Sequence, residues 1–359
     1  MSLKMKNTTI NKLILVLPWQ QQYNLNIDEL ELENLEVLLL GDNQLKNDQL
    51  YNLSKFKKLK ILDVSRNNVD LTNIHNVKSL TKLDMQYCRL TSIEQIQELV
   101  NLQDLNINSN PKIDIIPVYK VKGLTKLSIS ECNLQQIDQI VQLTNLQVLD
   151  ISLNKLKNID PITPLNSLVG LIKLDLLCCN LVSICALRPL VNLQYLDLSF
   201  NSIISITELQ YLKNLMFLNL RRCEIISICA LRSLVKLEDL DISDNQIVYL
   251  DANLNNMKKL KQLSAQINFI SDFDSRSFNI SNQRQPSLGE LSNSNYLRNI
   301  EWPNISLVLT QSKRKTIKTT LNQVKQIINA AINRIHSNHH QFSSSAVRLF
   351  QQLNEAVSQ

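Results

Sequence analysis

GLIKLDLLCCNLVSICALRPLVNLQYLDLSFNSIISITELQYLKNLMFLNLRRCEIISICALRSLVK, residues 170–236, carries one phrase three times. The phrase is L-x-x-L-x-L-x-x-(N or C)-x-(L or I). It starts at Leu171, Leu193 and Leu215, a step of 22 residues each time. Outward from there it continues in both directions. Earlier copies start at Leu35, Leu59, Leu80, Leu102, Leu124 and Leu146, later ones at Leu237 and Leu260, eleven in all. A pattern kept at this period marks stacked supersecondary units that share one core.

Within the phrase apolar residues alternate, as Leu196 and Leu198 do, which is the period of a strand. After it they fall every third position, through Leu181, Ile184, Leu187 and Leu190, then Ile203, Ile206, Leu209 and Leu212. Eclipsed i and i+3 positions belong to a 3₁₀-helix. Each repeat is therefore expected to be a short strand and a tight helical turn. At the ninth position Asn and Cys alternate, strictly so from Cys88 through Asn110, Cys132, Asn154, Cys179, Asn201 and Cys223 to Asn245. There the chain turns inward, and a buried Asn is expected to satisfy backbone groups that lack ladder partners. Cys has the volume but bonds more weakly. Cys185 and Cys229, in matching SICALR segments, point to duplication of a 44-residue unit. Pro111-Lys112 displaces the expected apolar residue to Ile113, and Pro117 follows, so a local convex bulge is expected there.

The phrases LQVLDISLNKLKNI and LQYLDLSFNSIISITELQYLKNL resemble the leucine-rich repeat family. The step of 22 residues resembles the subclass of the protein phosphatase 1 regulatory subunit and the internalins. The resemblance covers about residues 35–270. It implies an α/β solenoid, a horseshoe with a parallel concave β-sheet and convex 3₁₀ or helical turns, that binds proteins on its concave face. Residues 1–33 then form an N-terminal cap, with Ile10, Leu13 and Leu15 in register and Trp19 plugging the end, and residues 34–270 the solenoid. Residues 271–310, rich in Ser and Asn, read as a partly disordered linker. Residues 311–359 read as a C-terminal α-helical hairpin with a coiled-coil seam from Ile317 to Ile335 and a second from Phe342 to Ala356.

The third, fifth and seventh phrase positions point away from the core. Six of the eleven fifth positions are Asp, which predicts an acidic stripe including Asp150, Asp175, Asp197 and Asp241. A solvated face with no function predicts the same stripe. Val148, Leu153, Leu177, Tyr195, Phe200 and Phe217 stand at third, seventh or eighth positions of four consecutive repeats, flanked by Arg221 and Arg222. Large apolar residues together on a wet face mark an interface, with a protein partner as occupant. The competing reading tucks Leu153 and Phe200 under the loop as core.

Catalysis is not expected. Four glycines cannot build a phosphate-cradling loop, and no Ser-His-Asp or Cys-His set has local support. His336, His339 and His340 lack nearby Cys or carboxylate ligands, so no metal or cofactor is expected. The basic cluster Lys313, Arg314, Lys315 and Lys318 opens the C-terminal helical pattern. It offers an alternative role on RNA or anionic surfaces, but no aromatics interleave with it, which disfavours nucleic acid. Self-association through the C-terminal helices is a second alternative. Seven Cys without metal spacing, and no apolar run near the ~20 residues of a membrane span, point to the cytoplasm or nucleus.

Overall fold

The computed structural model describes residues 5–269, apart from 7–8, 16–26, 71, 158–160, 249–253 and 255. Trp19, the linker 271–310, the basic residues Lys313, Arg314, Lys315 and Lys318, the three C-terminal histidines and the helical segment 311–359 lie outside the described residues.

Twelve parallel strands form one sheet in strict sequence order, from Lys12–Ile14 and Val37–Leu39 at one edge to Asp239–Asp241 and Gln262–Ser264 at the other. A separate short pair joins Met5–Lys6 to Leu30–Glu31. Register is in phase throughout the large sheet: Lys173, Tyr195, Phe217 and Asp239 stand side by side, as do Leu174, Leu196, Leu218 and Leu240. Each three-residue strand turns its central Leu into the core, where Leu38 to Leu240 are fully buried. Between strands the chain returns through 3₁₀ turns, such as Thr207–Tyr211, whose Leu209 is buried together with Ile206 and Leu212. The period of three was thus a true 3₁₀ signal. At the expected bulge, Ile113 and Ile115 are buried and Pro117 stands in the turn Ile116–Lys120.

The ninth position explains how coils of unequal chemistry stack. Asn201, 5% exposed, donates through Nδ2 to the carbonyls of Leu176 and Leu198 at 2.9 and 2.8 Å. Its Oδ1 accepts two N–H groups from the preceding coil, those of Cys179 at 3.0 Å and Leu181 at 2.9 Å. Asn67, Asn110, Asn154 and Asn245 repeat the arrangement. Cys does half of this work. Cys179 and Cys223 reach the carbonyls of Ile151 and Leu198 through Sγ at 3.2 and 3.1 Å. A thiol has no acceptor comparable to the carboxamide oxygen, so the coil before a Cys turns differently.

Two turn types follow. In five of the six coils that precede an Asn, the tenth residue adopts a left-handed φ of 55–66°, at Gln44, Arg89, Asn133, Asn180 and Glu224, which aims the next N–H at the Asn Oδ1; in the sixth, before Asn268, the N–H of Gln246 donates to the Ile225 carbonyl at 2.8 Å. In coils that precede a Cys, the tenth N–H of Asn68 and of Ser202 instead donates back to the carbonyls of Leu45 and Leu181. Pro111 occupies this second kind of turn, before Cys132; its ring holds φ near −65° and could not adopt the first. The duplicated pair of repeats is therefore a hydrogen-bonding period, Cys coil then Asn coil.

The eighth position is left-handed in every repeat, from Asp42 at 60° to Ile267 at 58°, and no Gly occupies it. An L-residue pays roughly 1–2 kcal/mol for that backbone.

These roles rank three substitutions. Asn201→Ala strips two buried N–H groups and is expected to cost roughly 2–5 kcal/mol, each orphaned buried donor contributing about 1–3. Asn201→Cys restores volume and donor but not acceptor, and should fall between it and Cys223→Ala, the mildest. Chemical denaturation of the full chain measures the order; equal losses for the alanine variants would sink the asymmetry.

Candidate functional site

The open sheet face carries three rows of side chains at the strand spacing of about 4.8 Å. The fifth-position row ends each strand, and its oxygen has a local task. Oδ1 of Asp150, Asp175, Asp197 and Asp241 accepts the N–H two residues on, at 3.0, 3.1, 2.9 and 2.8 Å. Asn219 does the same for Arg221 at 3.0 Å. Asp and Asn recur here because their side chains form this turn. In three repeats the seventh residue is Ser and adds a hydroxyl bond to the same oxygen: Ser152, Ser199 and Ser243.

Asp197 departs from the expected role. It is buried, with Ser199 on Oδ1 and Asn219 on Oδ2 at 2.9 Å, so it holds the face together. Asp150, Asp175 and Asp241 are half-buried. Burial in the stacked row pushes the Asp175 carboxyl up to about 6, with Asp150 and Asp197 adding repulsion and the Leu177 N–H opposing.

The third-position row holds the aromatic feature. Tyr195 and Phe217 stack face to face, centroids 4.2 Å apart and planes 2° from parallel. Their register on adjacent parallel strands dictates this: one strand spacing sets two rings at stacking distance. Lys173 Nζ lies 4.2 Å from the Tyr195 centroid, capping the other end. Burial, and then the carboxylates led by Asp175, raise the Tyr195 hydroxyl to about 12, so it stays a neutral donor. Val148, on the far side of Lys173 from Tyr195, and Leu177 are half-buried.

At the rim, Leu153 and Phe200 are exposed, 46% and 40%, and both take the left-handed eighth position. They are not tucked into the core. Arg221 and Arg222 stand 5.7 and 5.5 Å from the Phe200 centroid, and Arg221 also pairs with Asp244 at 3.2 Å. The structure thus joins Tyr195 to Phe217 on the sheet, and Phe200 to Arg221 and Arg222 at the rim.

Sequence reasoning missed the flank where the strands begin. Ile172 and Met216 are exposed at the second phrase position, with Val169, Val191 and Val235 just before the strands. The signal was available: every other repeat has Glu, Lys, Thr or Gln at the second position. On this flank Arg188 lies 4.4 Å from the Tyr211 ring centre, over a shallow groove with Val191 and Lys213. The seven cysteines are free. Burial raises the Cys88 and Cys132 thiols to about 11 and Cys179 and Cys223 to about 12, which leaves them protonated. Among the described residues no group of His, Cys, Asp or Glu could hold a metal, and no helix is long and apolar enough to cross a membrane.

Residues 78–120 match the family description "Leucine Rich repeats (2 copies)" and residues 192–212 "Leucine Rich Repeat". No curated protein sequence matches the chain. Among solved structures, the internalin InlF of Listeria monocytogenes is 24% identical, over 67% of this chain and 77% of that one, with a TM-score of 0.57. A leucine-rich repeat protein of Leptospira interrogans is 26% identical over 66% and 68%, with a TM-score of 0.59. InlJ of L. monocytogenes, described as including a cysteine ladder, is 23% identical over 75% and 61%, with a TM-score of 0.58. These likenesses bear on the internalin side of the resemblance and do not confirm the phosphatase-subunit side. A sheet of in-register three-residue strands, 3₁₀ returns, an asparagine at the inward turn and these likenesses make the chain a leucine-rich repeat protein with a solenoid fold.

Proposed function

We propose that this chain is a non-catalytic scaffold that binds a protein partner on the open sheet face, around Tyr195, Phe217, Phe200 and Leu153. The observation that carries this reading is the rim. Leu153 and Phe200 combine exposure with a left-handed backbone, and folding alone favours neither. A large apolar residue kept at such a place is explained by a partner that covers it. The stacked rings supply a rigid anchor, with few rotamers to freeze on binding. The second oxygens of Asp150, Asp175 and Asp241 orient polar groups above the rings, and Arg222 closes the rim. An interface of standard size needs about 800 Å² from each side, which several such strands and their flanks supply. The free thiols suit a reducing compartment such as the cytoplasm.

Capture of partners from native cell extract tests the anchor. Full-length chain carrying Tyr195→Ala and Phe217→Ala, with an unchanged circular dichroism spectrum, should lose its specific partner; an unchanged partner list removes the anchor. Phe200→Gly separates binding from folding. Glycine relieves about 1 kcal/mol of left-handed strain, so stability should hold or rise while capture weakens.

Asp175 gives a pH test with a definite sign. Its folded pKa is raised from 3.8 to about 6, so the native state binds the proton more tightly than the unfolded chain. Its ionised form therefore costs stability at pH 7, and the cost fades as pH falls from about 7 to 4. Asp175→Asn keeps the acceptor for the Leu177 N–H, as Asn219, two strands along the row, does for the Arg221 N–H. The variant should melt higher than the parent at pH 7, with the gap shrinking at pH 5. A gap that does not change with pH would assign the effect to something other than ionisation.

A further inference from the structure

We propose that the partner inserts an arginine side chain into a slot between Phe217 and Asp239, laying its guanidinium on the ring and pairing it with the carboxylate. The proposal rests on the reading above and names the chemistry of the occupant.

The stack has two ends. Lys173 covers the outer face of Tyr195. The rings are parallel and one strand apart, so the outer face of Phe217 is turned toward the next strand, where Asp239 stands in register. Asp is shorter than Phe, so the ring, half-buried, reaches past the carboxylate. Among the described residues no cation lies over Phe217, and Asp239 has no ion-pair partner. Elsewhere in the same row an Asp is neutralised by its neighbour: Asp104 pairs with Lys82 at 3.1 Å across adjacent strands. Asp239 has Phe217 on one side and Gln262 on the other.

Three cations of neighbouring repeats are engaged elsewhere. Arg221 holds Asp244, Lys261 holds Glu238 at 2.6 Å, and Lys236 donates to Asn214 at 2.7 Å. Asp241 stands two residues along on the same face and adds negative charge, and burial together with that neighbour raises the Asp239 carboxyl. A flat cation that both stacks on an aromatic face and forks onto a carboxylate is a guanidinium; an ammonium would satisfy only the charge.

The probe is a phage-displayed library of random dodecapeptides selected on immobilised full-length chain. Selected peptides are expected to be enriched in arginine. Replacing that arginine by citrulline, or Asp239→Asn in the chain, should weaken binding tenfold or more, with lysine in its place intermediate. Phe217→Leu should also weaken it, whereas Asp104→Asn should leave it within twofold. Absence of arginine enrichment, or affinity for Asp239→Asn within twofold of the parent, overturns the slot. Peptides that lose binding to Tyr195→Ala but not to Asp239→Asn overturn the slot and leave the aromatic anchor standing. A selection yielding no peptide sensitive to either variant overturns both.

Discussion

One carboxamide governs the stacking of this molecule. At the inward turn each coil must bury backbone N–H and C=O groups that the short strand cannot pair. The Asn side chain answers both polarities at once, donating to its own coil and to the one before, and accepting from the one before. That coupling makes neighbouring coils interdependent, because the acceptor for one coil's N–H groups belongs to the next. A Cys keeps the donor half and forfeits the acceptor half. The chain compensates in its backbone, with a negative φ at the tenth residue and a bond back to an earlier carbonyl. From Cys88 to Asn245 the two turns therefore alternate in step with the two side chains.

The same geometry decides which surface residues are free to act. At the end of every strand the backbone wants a side-chain acceptor two residues back, and Asp or Asn supplies it. An acidic stripe is therefore first a column of turns. Asp197, with both oxygens engaged and its side chain buried, is wholly structural. Positions on which the repeat places no chemical demand are more telling. The second and third phrase positions need only fit a strand, and the eighth only tolerate a left-handed backbone. Ile172, Met216, Tyr195, Phe217, Leu153 and Phe200 stand at those positions, and there a departure from polarity has no structural explanation.

This division also accounts for what could be read from the residues alone. Coil length, strand and turn, the core leucines and the buried Asn are periodic, and periodicity is visible in a string. The pairing of coils was visible as Asn/Cys alternation, but its cause was not, because φ at Gln44 or Arg89 has no signature in residue type. The aromatic stack was half legible: Tyr195 and Phe217 share a phrase position, yet their contact follows only from in-phase register. Asp239 was missed outright, since an Asp in a run of Asp residues looks like solvated charge. That no ion-pair partner stands beside it among the described residues appears only when the neighbours across the sheet are known. The flank with Val169, Val191 and Val235 lies outside the repeating phrase.

Parallel in-phase stacking amplifies small changes in a row. In a globular fold, two residues 22 positions apart can be moved independently. Here they are held about 4.8 Å apart by the backbone, whatever they are. Like charges in such a row repel, and burial, with Asp150 and Asp197 adding to it, raises the Asp175 carboxyl between them. Opposite charges pair, as Lys82 and Asp104 do. Rings stack, and the rotamer freedom they lose on folding need not be lost again on binding. A recognition surface therefore needs no loop or insertion; a few substitutions at one phrase position suffice. The third row reads Lys173, Tyr195, Phe217, Asp239, a cation, two rings and an anion in line. Lys173 satisfies the first ring from within the chain, and nothing described satisfies the second, so the polarity of the row itself directs a cation to the Asp239 end.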